Sequence, residues 1–407
     1  MWHAWRVEIV NRTRKIVLGQ ADAPPARLAR PTSPKRSAPL IVDIVKARRD
    51  ELLRPLQVVC GIVERRHTLP VLANVLISTG DDGIRFRSTD LDLELVASEA
   101  IHANAASPQV LVNARKLLDV VRAMPDTELS LAASEKHLLV RSQDSRVQLQ
   151  LANLEDYPLT RFDEDNVRQV SVSAGELKCL LHSVHFAMGD NDVRYFLNGT
   201  LLITGPCLTA VAIDGHRLAT ASLPLEGDTT PGEIVVPRKA VLELIRLLPD
   251  DATPVKIEIS TRYAKFAFAN IAFTCKLIEG RYPDYRRVVP TRFDAAFSVD
   301  RQGLLACLQR AVILTNERFR AIRCMADGGR LTVCASNTEN EESVEAMEID
   351  YDGKRVELSF NIRYLLDVAN TLKTNRLHVQ FSTTHLSALI CTEDRDDFKY
   401  VVMALRN

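Results

Sequence analysis

The chain has 407 residues, of which 46% are hydrophobic and 26% charged, and its 52 basic residues balance its 52 acidic residues. This composition excludes disordered and collagen-like chains, and no apolar run approaches the ~18 residues that a membrane helix needs. The eight cysteines form no CxxC pair and no zinc-spaced Cys/His cluster, so we expect free thiols in a reducing cytoplasm and neither metal nor cofactor.

The first 42 residues differ in composition from the rest of the chain. They hold eight basic residues against two acidic ones, which leaves 44 basic and 50 acidic residues in the remainder. Prolines punctuate this segment, which has too few apolar residues to form a core. The segment is predicted to be a disordered basic extension, or to result from translation assigned from an upstream start codon. A targeting peptide is the alternative, although no apolar region with a small-residue cleavage site follows.

After this segment, a unit of roughly 125 residues occurs three times. Its first predicted helix recurs at residues 49–56, 173–181 and 301–308, with apolar residues in register at Leu52, Leu177 and Leu304 and again at Leu56, Leu181 and Leu308. A threefold repeat without a catalytic motif indicates a protein built for shape. The predicted domains are residues 43–167, 168–294 and 295–407.

A second helix and a strand end also recur. Arg115, Arg238 and Arg363 align with separations of 123 and 125, and Asp90, Asp214 and Asn337 align directly after Thr89, Ile213 and Ser336. Between the helices, apolar residues alternate with polar ones on both sides of short turns, which is typical of β-hairpins. Each unit is therefore predicted to be an α+β module of two helices and antiparallel sheets.

Basic side chains form stripes along these helices. Lys178 and His182 share one face of the second unit's first helix, and the second helices pair Arg115 with Arg122 and Lys239 with Arg246, seven residues apart. A solvated charged surface is the ordinary explanation of such stripes, and spacing alone leaves it open.

The sequence contains no P-loop, dinucleotide-binding glycine motif, nucleophile elbow or HExxH. Asp214, His216 and Arg217 could serve an acid–base reaction. A turn that uses Gly215 at a special backbone angle is the simpler interpretation. The acidic run from Glu339 to Glu345 lacks the ligand spacing of a calcium loop, so we interpret it as a solvated or partner-facing surface.

Five strings in order resemble the bacterial DNA polymerase III beta subunit, the replicative sliding-clamp family: residues 66–74, 192–199, 214–219, 280–288 and 400–403. The resemblance covers about residues 43–407. It implies three similar domains per chain and two chains joined head to tail in a ring around duplex DNA. It also implies that the helices line the hole, where contacts to phosphates are independent of base sequence. The implied DNA-facing residues are Arg54, Arg66, Arg115, Arg122, Lys178, His182, Lys239 and Arg246.

The resemblance also implies a homodimer joint of apolar and oppositely charged residues. Its matching positions are Arg141, Arg146, Val147 and Leu149 on the first domain, and Ile313, Leu314, Glu339, Glu341, Glu342 and Glu345 on the third. Two positions depart from the family pattern, because Val147 replaces a typical aromatic residue and Asp144 stands where a basic residue is often found.

Between the second and third domains, the resemblance implies a pocket for short peptides with a Gln and a Leu/Phe end. Such peptides belong to the DNA polymerase III alpha subunit, the clamp loader and repair proteins. The matching positions are Leu197, Ile213, Gly215, His216, Arg217, Leu218, Pro283, Arg287, Val288, Asn361, Tyr364, Val402, Met403, Leu405 and Arg406. Apolar walls with a few polar groups suit this role. Ile213 stands where Thr is frequent, and Ala404 replaces a common Pro.

The leading hypothesis is therefore a non-enzymatic processivity factor that encircles DNA. One alternative is an enzyme centred on Asp214, His216 and Arg217. Another is a clamp paralogue that acts as a peptide-binding scaffold in repair or drug resistance without enclosing DNA.

Overall fold

The computed structural model describes residues 41–64, 69–163, 166–225, 230–315, 320–392 and 397–406. Residues 1–40 of the basic extension lie outside the described residues, as does Arg66. The helices of the described part are α1 Arg49–Val59, α2 Ala114–Ala123, α3 Ala174–Val184, α4 Arg238–Leu247, α5 Arg301–Ala311 and α6 Ile362–Thr371.

The strands of the first repeat are β1 Val42–Arg48, β2 Asn74–Gly80, β3 Gly83–Thr89, β4 Leu93–Glu99, β5 Val110–Asn113, β6 Glu128–Ala133, β7 His137–Arg141 and β8 Arg146–Gln150. Those of the second are β9 Arg168–Ser173, β10 Gly199–Thr204, β11 Cys207–Ile213, β12 Arg217–Pro224, β13 Gly232–Pro237, β14 Pro254–Ile259, β15 Tyr263–Phe268 and β16 Ile271–Lys276. Those of the third are β17 Ala295–Asp300, β18 Ala321–Asp327, β19 Arg330–Ser336, β20 Glu342–Glu348, β21 Val356–Asn361, β22 Arg376–Ser382, β23 Ser387–Thr392 and β24 Phe398–Met403.

Each repeat carries two antiparallel ladders of four strands, and two of these ladders continue into the next repeat. Strand β4 pairs with β16, which we call the first joint, and β12 pairs with β24, which we call the second joint. The repeats therefore share two eight-stranded sheets, ordered β5-β2-β3-β4-β16-β15-β14-β9 and β13-β10-β11-β12-β24-β23-β22-β17. The remaining ladders, β1-β6-β7-β8 and β20-β19-β18-β21, contain four strands each.

The first helix of each repeat packs its apolar face against the sheets, as its pattern predicts. The fully buried residues on α1 and α3 include Leu52, Leu56, Val59, Leu177, Leu181 and Val184. Side chains at the N-caps position two of these helices. Ser173 and Glu176 form a capping box on α3, and the Asp300 carboxylate accepts a hydrogen bond from the Gly303 N–H at 2.6 Å.

The second helices begin at a spacing that corrects the predicted alignment. Their N-caps are Asn113, Pro237 and Asn361, which lie 124 residues apart in both steps. Arg115 is therefore equivalent to Lys239 and Arg363, and Arg238 is one position earlier. The sequence alignment slipped by one residue because a basic residue occupies both of the first two positions of α4.

The predicted turn anchors are confirmed. Thr89, Ile213 and Ser336 end β3, β11 and β19, and the next residue begins the turn in each repeat. The alternating segments around Gly83 and around Asn270 form hairpins as expected, β2-β3 and β15-β16, but the predicted hairpin at Asp352-Gly353 is wrong, because β21 pairs with β18 and not with the preceding β20. In the described part of the chain, none of the helices is long and apolar enough to cross a membrane.

Candidate functional site

At the second joint, an apolar cluster covers the sheet face that does not pack on the helices. Its buried members are Leu197, Leu201, Val211, Ile213, Leu218, Val235, Tyr282, Leu389 and Val401, and we call it the outer cluster. Val288 packs against its border. The Tyr282 hydroxyl fixes one wall, because it accepts a hydrogen bond from the Ile213 N–H at 3.1 Å. The fold thus brings together four of the residues predicted for the pocket: Leu197, Ile213, Leu218 and Val288.

The turn between β11 and β12 forms a polar rim beside this cluster. One Asp214 carboxylate oxygen accepts hydrogen bonds from the N–H groups of His216 at 2.9 Å and Arg217 at 3.0 Å. Gly215 has a φ of +88°, a left-handed conformation that glycine adopts without steric cost. The exposed His216 ring stacks on Tyr364, with centroids 6.3 Å apart.

The C-terminal segment lies against the same rim. The Met403 N–H donates to the His216 carbonyl at 2.9 Å, and the Leu405 N–H donates to the Ser359 carbonyl at 2.7 Å. The Leu405 side chain remains 42% exposed. Asn361 caps α6 by accepting from the Arg363 N–H at 3.1 Å.

Strand alternation divides the residues predicted for the pocket between two faces of the sheet. Leu218 lies in the outer cluster, whereas the neighbouring Arg217 side chain reaches the helix side, over the Tyr364 ring at 4.4 Å. Val402 is likewise buried in the helix-side core, and Val401 takes the place on the outer cluster. The strict period of two in β24 could have identified Val401 from the sequence. Pro283, Arg287 and Arg406 are exposed.

The first joint has the same scaffold with a different lining. Tyr157 is equivalent to Tyr282, and its hydroxyl also bonds to a strand carbonyl, that of Arg87, at 3.1 Å. Hairpin register places Glu94 in the position of Leu218, because Glu94 pairs with Thr89 as Leu218 pairs with Ile213. Glu94 is only 8% exposed and lies 4.0 Å from the Arg87 guanidinium. An apolar side chain entering there would have to desolvate this ion pair.

Comparison with known proteins identifies the family of this chain. Profiles of the DNA polymerase III beta subunit match along the chain: the N-terminal domain over residues 44–161, the central domain over 171–284 and the C-terminal domain over 286–406. The chain belongs to the DNA polymerase III beta subunit family.

Individual members of this family align over nearly their full length. The beta sliding clamp of Pseudomonas aeruginosa is 38% identical over 362 residues, which is 88% of this chain and 98% of that protein. That of Escherichia coli K12 is 35% identical over 360 residues, again 88% and 98%. A crystal structure of the P. aeruginosa DNA polymerase sliding clamp with ligand superposes with a TM-score of 0.86 at 37% identity, covering 90% of this chain and 100% of that one.

In this beta subunit family member, most of the basic residues expected to face DNA already have partners. Lys178 lies 3.0 Å from Asp250, Lys239 lies 2.5 Å from Glu64 and also contacts Asp90, and Arg246 lies 2.5 Å from Glu243. Arg122 lies 3.6 Å from Asp119, and Arg115 donates to the Val63 carbonyl at 2.6 Å. Arg54 is exposed on α1. These carboxylates reduce the net positive potential of the helix surface.

Among the residues expected to face DNA, His182 has a pKa below the ordinary value of an imidazole. Burial lowers its pKa from 6.5, and the nearby His185, Lys373 and Lys178 lower it further. The third repeat supplies a cation that the sequence pattern did not single out for this surface. Arg363 is exposed at the second position of α6, equivalent to Arg115 and Lys239.

Half of the residues expected at the dimer joint lie on two edge strands: Arg146, Val147 and Leu149 on β8, and Glu342 and Glu345 on β20. On β8, Val147 and Leu149 are partly buried against the core, while Arg146 points outward. Beside β20, Ile313 is 76% exposed and Leu314 is half-buried. The Arg141 side chain has a buried Nε without a hydrogen-bond partner.

Two of the four predicted joint carboxylates already bind within the chain. Glu345 pairs with Arg310 at 2.5 Å, and this hydrogen bond lowers the pKa of the Glu345 carboxyl group. Glu341 accepts a hydrogen bond from the Asn337 side chain at 2.6 Å. Glu339 and Glu342 remain exposed at the start of the edge.

Proposed function

We propose that this chain is a replicative sliding clamp, in which two copies close head to tail into a ring that encircles duplex DNA and confers processivity on a DNA polymerase. The observation that carries the proposal is the register of the two joints within the chain, because it predicts a third joint between chains. Domain boundaries at residues 43–167, 168–294 and 295–407 belong to the proposal, supported by β9 beginning at Arg168 and β17 at Ala295.

Both joints use the same register. At the first joint Phe273 lies opposite Leu95, and at the second joint Tyr400 lies opposite Ala219. Hairpin pairing makes Val147 of β8 the equivalent of Phe273 and Tyr400, and Ser343 of β20 the equivalent of Leu95 and Ala219. A third joint built by the same rule pairs β8 of one copy with β20 of a second copy and places Val147 opposite Ser343.

Packing at the second joint supports the same arrangement. A short 3-10 turn, His185–Ala187, follows α3, and its Phe186 ring packs on Tyr400 with centroids 5.4 Å apart. The equivalent turn after α5 is Val312–Leu314, which makes Ile313 the counterpart of Phe186. Ile313 is exposed in the isolated chain, and in the ring it would cover Val147 of the other copy.

Such a contact joins different surfaces, and a ring results only when the rotation closes. Two copies with three repeats each supply six repeats and two intermolecular joints. The helix surface then carries the basic residues toward the DNA, and its partly neutralised charge suits weak contacts that are independent of base sequence and sensitive to salt.

The outer cluster is the proposed docking site for the polymerase alpha subunit, the clamp loader and repair proteins. A short peptide would insert its apolar end beside Leu218 and Ile213, and polar groups of the rim around His216 would orient it. The proposal includes no catalysis. Both oxygens of Asp214 already accept hydrogen bonds from the turn and from Arg217, so Asp214 is not poised as a general base.

Retention on circular DNA tests the proposal against a peptide-binding scaffold that never encloses DNA. The protein is loaded onto nicked circular DNA with a clamp-loading complex and ATP, and bound protein is separated by gel filtration. We expect it to stay on the circle through a high-salt wash and to be released when one restriction cut linearises the DNA. Equal retention on both forms would show ordinary surface binding and refute encirclement.

A further inference from the structure

We infer that Arg217 is a positioning residue that couples the peptide pocket on one face of the second-joint sheet to helix α6 on the other face. The inference rests on the proposed peptide pocket and deepens it, since it separates residues that touch a peptide from a residue that orders them. The observation behind it is a single guanidinium that binds both the pocket turn and α6.

The guanidinium makes one contact on each side of the boundary between repeats. Its Nε donates to the Asp214 carboxylate at 2.9 Å, within the turn that carries His216. Its Nη1 donates to the carboxylate of Asp367 on α6. The side chains of Arg217 and Asp214 are 11% and 15% exposed, so solvent competes little for their bond, whereas Asp367 is 39% exposed and its bond to Arg217 lies nearer the solvent.

The same Arg217 side chain also contacts Tyr364 of α6, the aromatic ring on which His216 stacks. Its guanidinium carbon lies 4.4 Å from the centroid of the Tyr364 ring, and that ring stacks on His216. A second contact fixes the backbone of Tyr364, because its carbonyl accepts a hydrogen bond from the Tyr400 hydroxyl at 3.0 Å. Arg217 therefore holds His216 of the rim in place relative to Tyr364 of α6, without lying on the pocket face itself.

On the helix side, the guanidinium lies 5.7 Å from the Phe186 ring, in the turn that follows α3. A peptide that shifts His216 and its turn must also displace Arg217 and disturb its bond to Asp367 on α6. A change at the pocket then alters the free energy of the α6 contact, and such coupling is reciprocal.

Among the described residues, the first joint has no equivalent arginine. Leu93 occupies the position equivalent to Arg217, because Leu93 and Arg217 are the first residues of β4 and β12. An ionic contact across that joint comes instead from Lys239 on α4, which reaches Glu64 and Asp90. The bridging arginine therefore occurs at the joint with the apolar outer cluster, which is where a peptide pocket needs an ordered rim.

The decisive variant is Asp367→Asn, since Asp367 lies on α6 at the helix side. The probe is a fluorescein-labelled synthetic peptide with a Gln and a Leu-Phe end, titrated with the full-length chain by fluorescence anisotropy. We expect Asp367→Asn to weaken binding several-fold and Arg217→Lys to weaken it about tenfold, because a lysine cannot form both bonds of the fork. The double variant should bind no more weakly than Arg217→Lys alone, because the two residues act as one unit.

Glu243→Gln is the matched control. It removes the carboxylate of another guanidinium pair, with Arg246 on α4, and should leave peptide affinity unchanged. Hydrogen exchange supplies a readout that a purely structural role would not move. Peptide binding should slow exchange of the α6 amides in the native chain, and this effect should disappear in Asp367→Asn while thermal stability stays close to native.

Native affinity in Asp367→Asn together with weak binding in Arg217→Lys would show that Arg217 contacts the peptide directly, which overturns the inference. Failure of the native chain to bind the peptide is a separate result, which removes the proposed pocket and the inference with it.

Discussion

A pair of cysteines can test the proposed ring at the level of a single residue pair. Val147→Cys and Ser343→Cys in one chain place a thiol on β8 and another on β20. Directly opposed residues of antiparallel strands have Cα atoms about 4.5–5.5 Å apart, which is within the range of about 4.4–6.8 Å that a disulfide spans. The register carried over from the two joints therefore predicts that the bridge forms between chains without a shift of the backbone.

The control moves one thiol along the same face of β8. With Leu149→Cys and Ser343→Cys, the offset of two residues adds about 6.6 Å along the strand, so the Cα atoms lie about 8 Å apart and are too far to bridge. The native chain, with its eight cysteines, controls for other oxidation products.

Mild oxidation followed by non-reducing gel electrophoresis is the assay. We expect covalent dimers from Val147→Cys with Ser343→Cys, and little cross-linking from the control pair or the native chain. Cross-linking in the control pair instead would mean that the register at the third joint differs from that at the other two. Monomers throughout, with native folding, would refute the joint.

Three further predictions concern stability and assembly. Ile313→Asp should weaken the dimer by one to three orders of magnitude, since burying three quarters of an isoleucine at two joints is worth about 2–4 kcal/mol; light scattering that still shows a dimer at low concentration would contradict this. Leu91→Gly should raise the free energy of unfolding, measured by urea denaturation, by about 0.5–1 kcal/mol, because Leu91 has a φ of +83° and the equivalent residue is Gly215. An unchanged urea midpoint would argue against strain at Leu91. Burial lowers the pKa values of His182 and His185 below 6.5, so the folded state binds fewer protons than the unfolded state. The free energy of unfolding should therefore be highest above pH 6.5 and fall as the pH drops below it. Replacing both residues by glutamine should make the urea midpoint depend less on pH between about pH 7.5 and about pH 5.5.

The first helices show how much of this fold the sequence specifies. Leu52, Leu56 and Val59 recur on one face at helical spacing, and all three are fully buried. The pattern was sufficient because a helix buries residues that are three or four positions apart, so the information is local. Hairpins and turn anchors were predicted for the same reason.

The pocket was predicted less completely. Arg217 and Leu218 are adjacent in the sequence and were expected in one site, but β12 directs them to opposite faces of the sheet. In the same way Val401, and not Val402, reaches the outer cluster. The period of a strand is visible in the sequence, but which of its two faces meets the helices is decided by the sheet that it joins.

The sequence by itself determined the repeat, which comparison of the chain with itself reveals, and the helix faces, which depend on residues within a few positions of one another. The tertiary structure alone decided that Arg217 meets Asp367, 150 residues away, and that Lys239 meets Asp90 across a different joint. Such pairs depend on the register between strands of separate repeats. That register follows from the packing of whole sheets, and no local pattern encodes it.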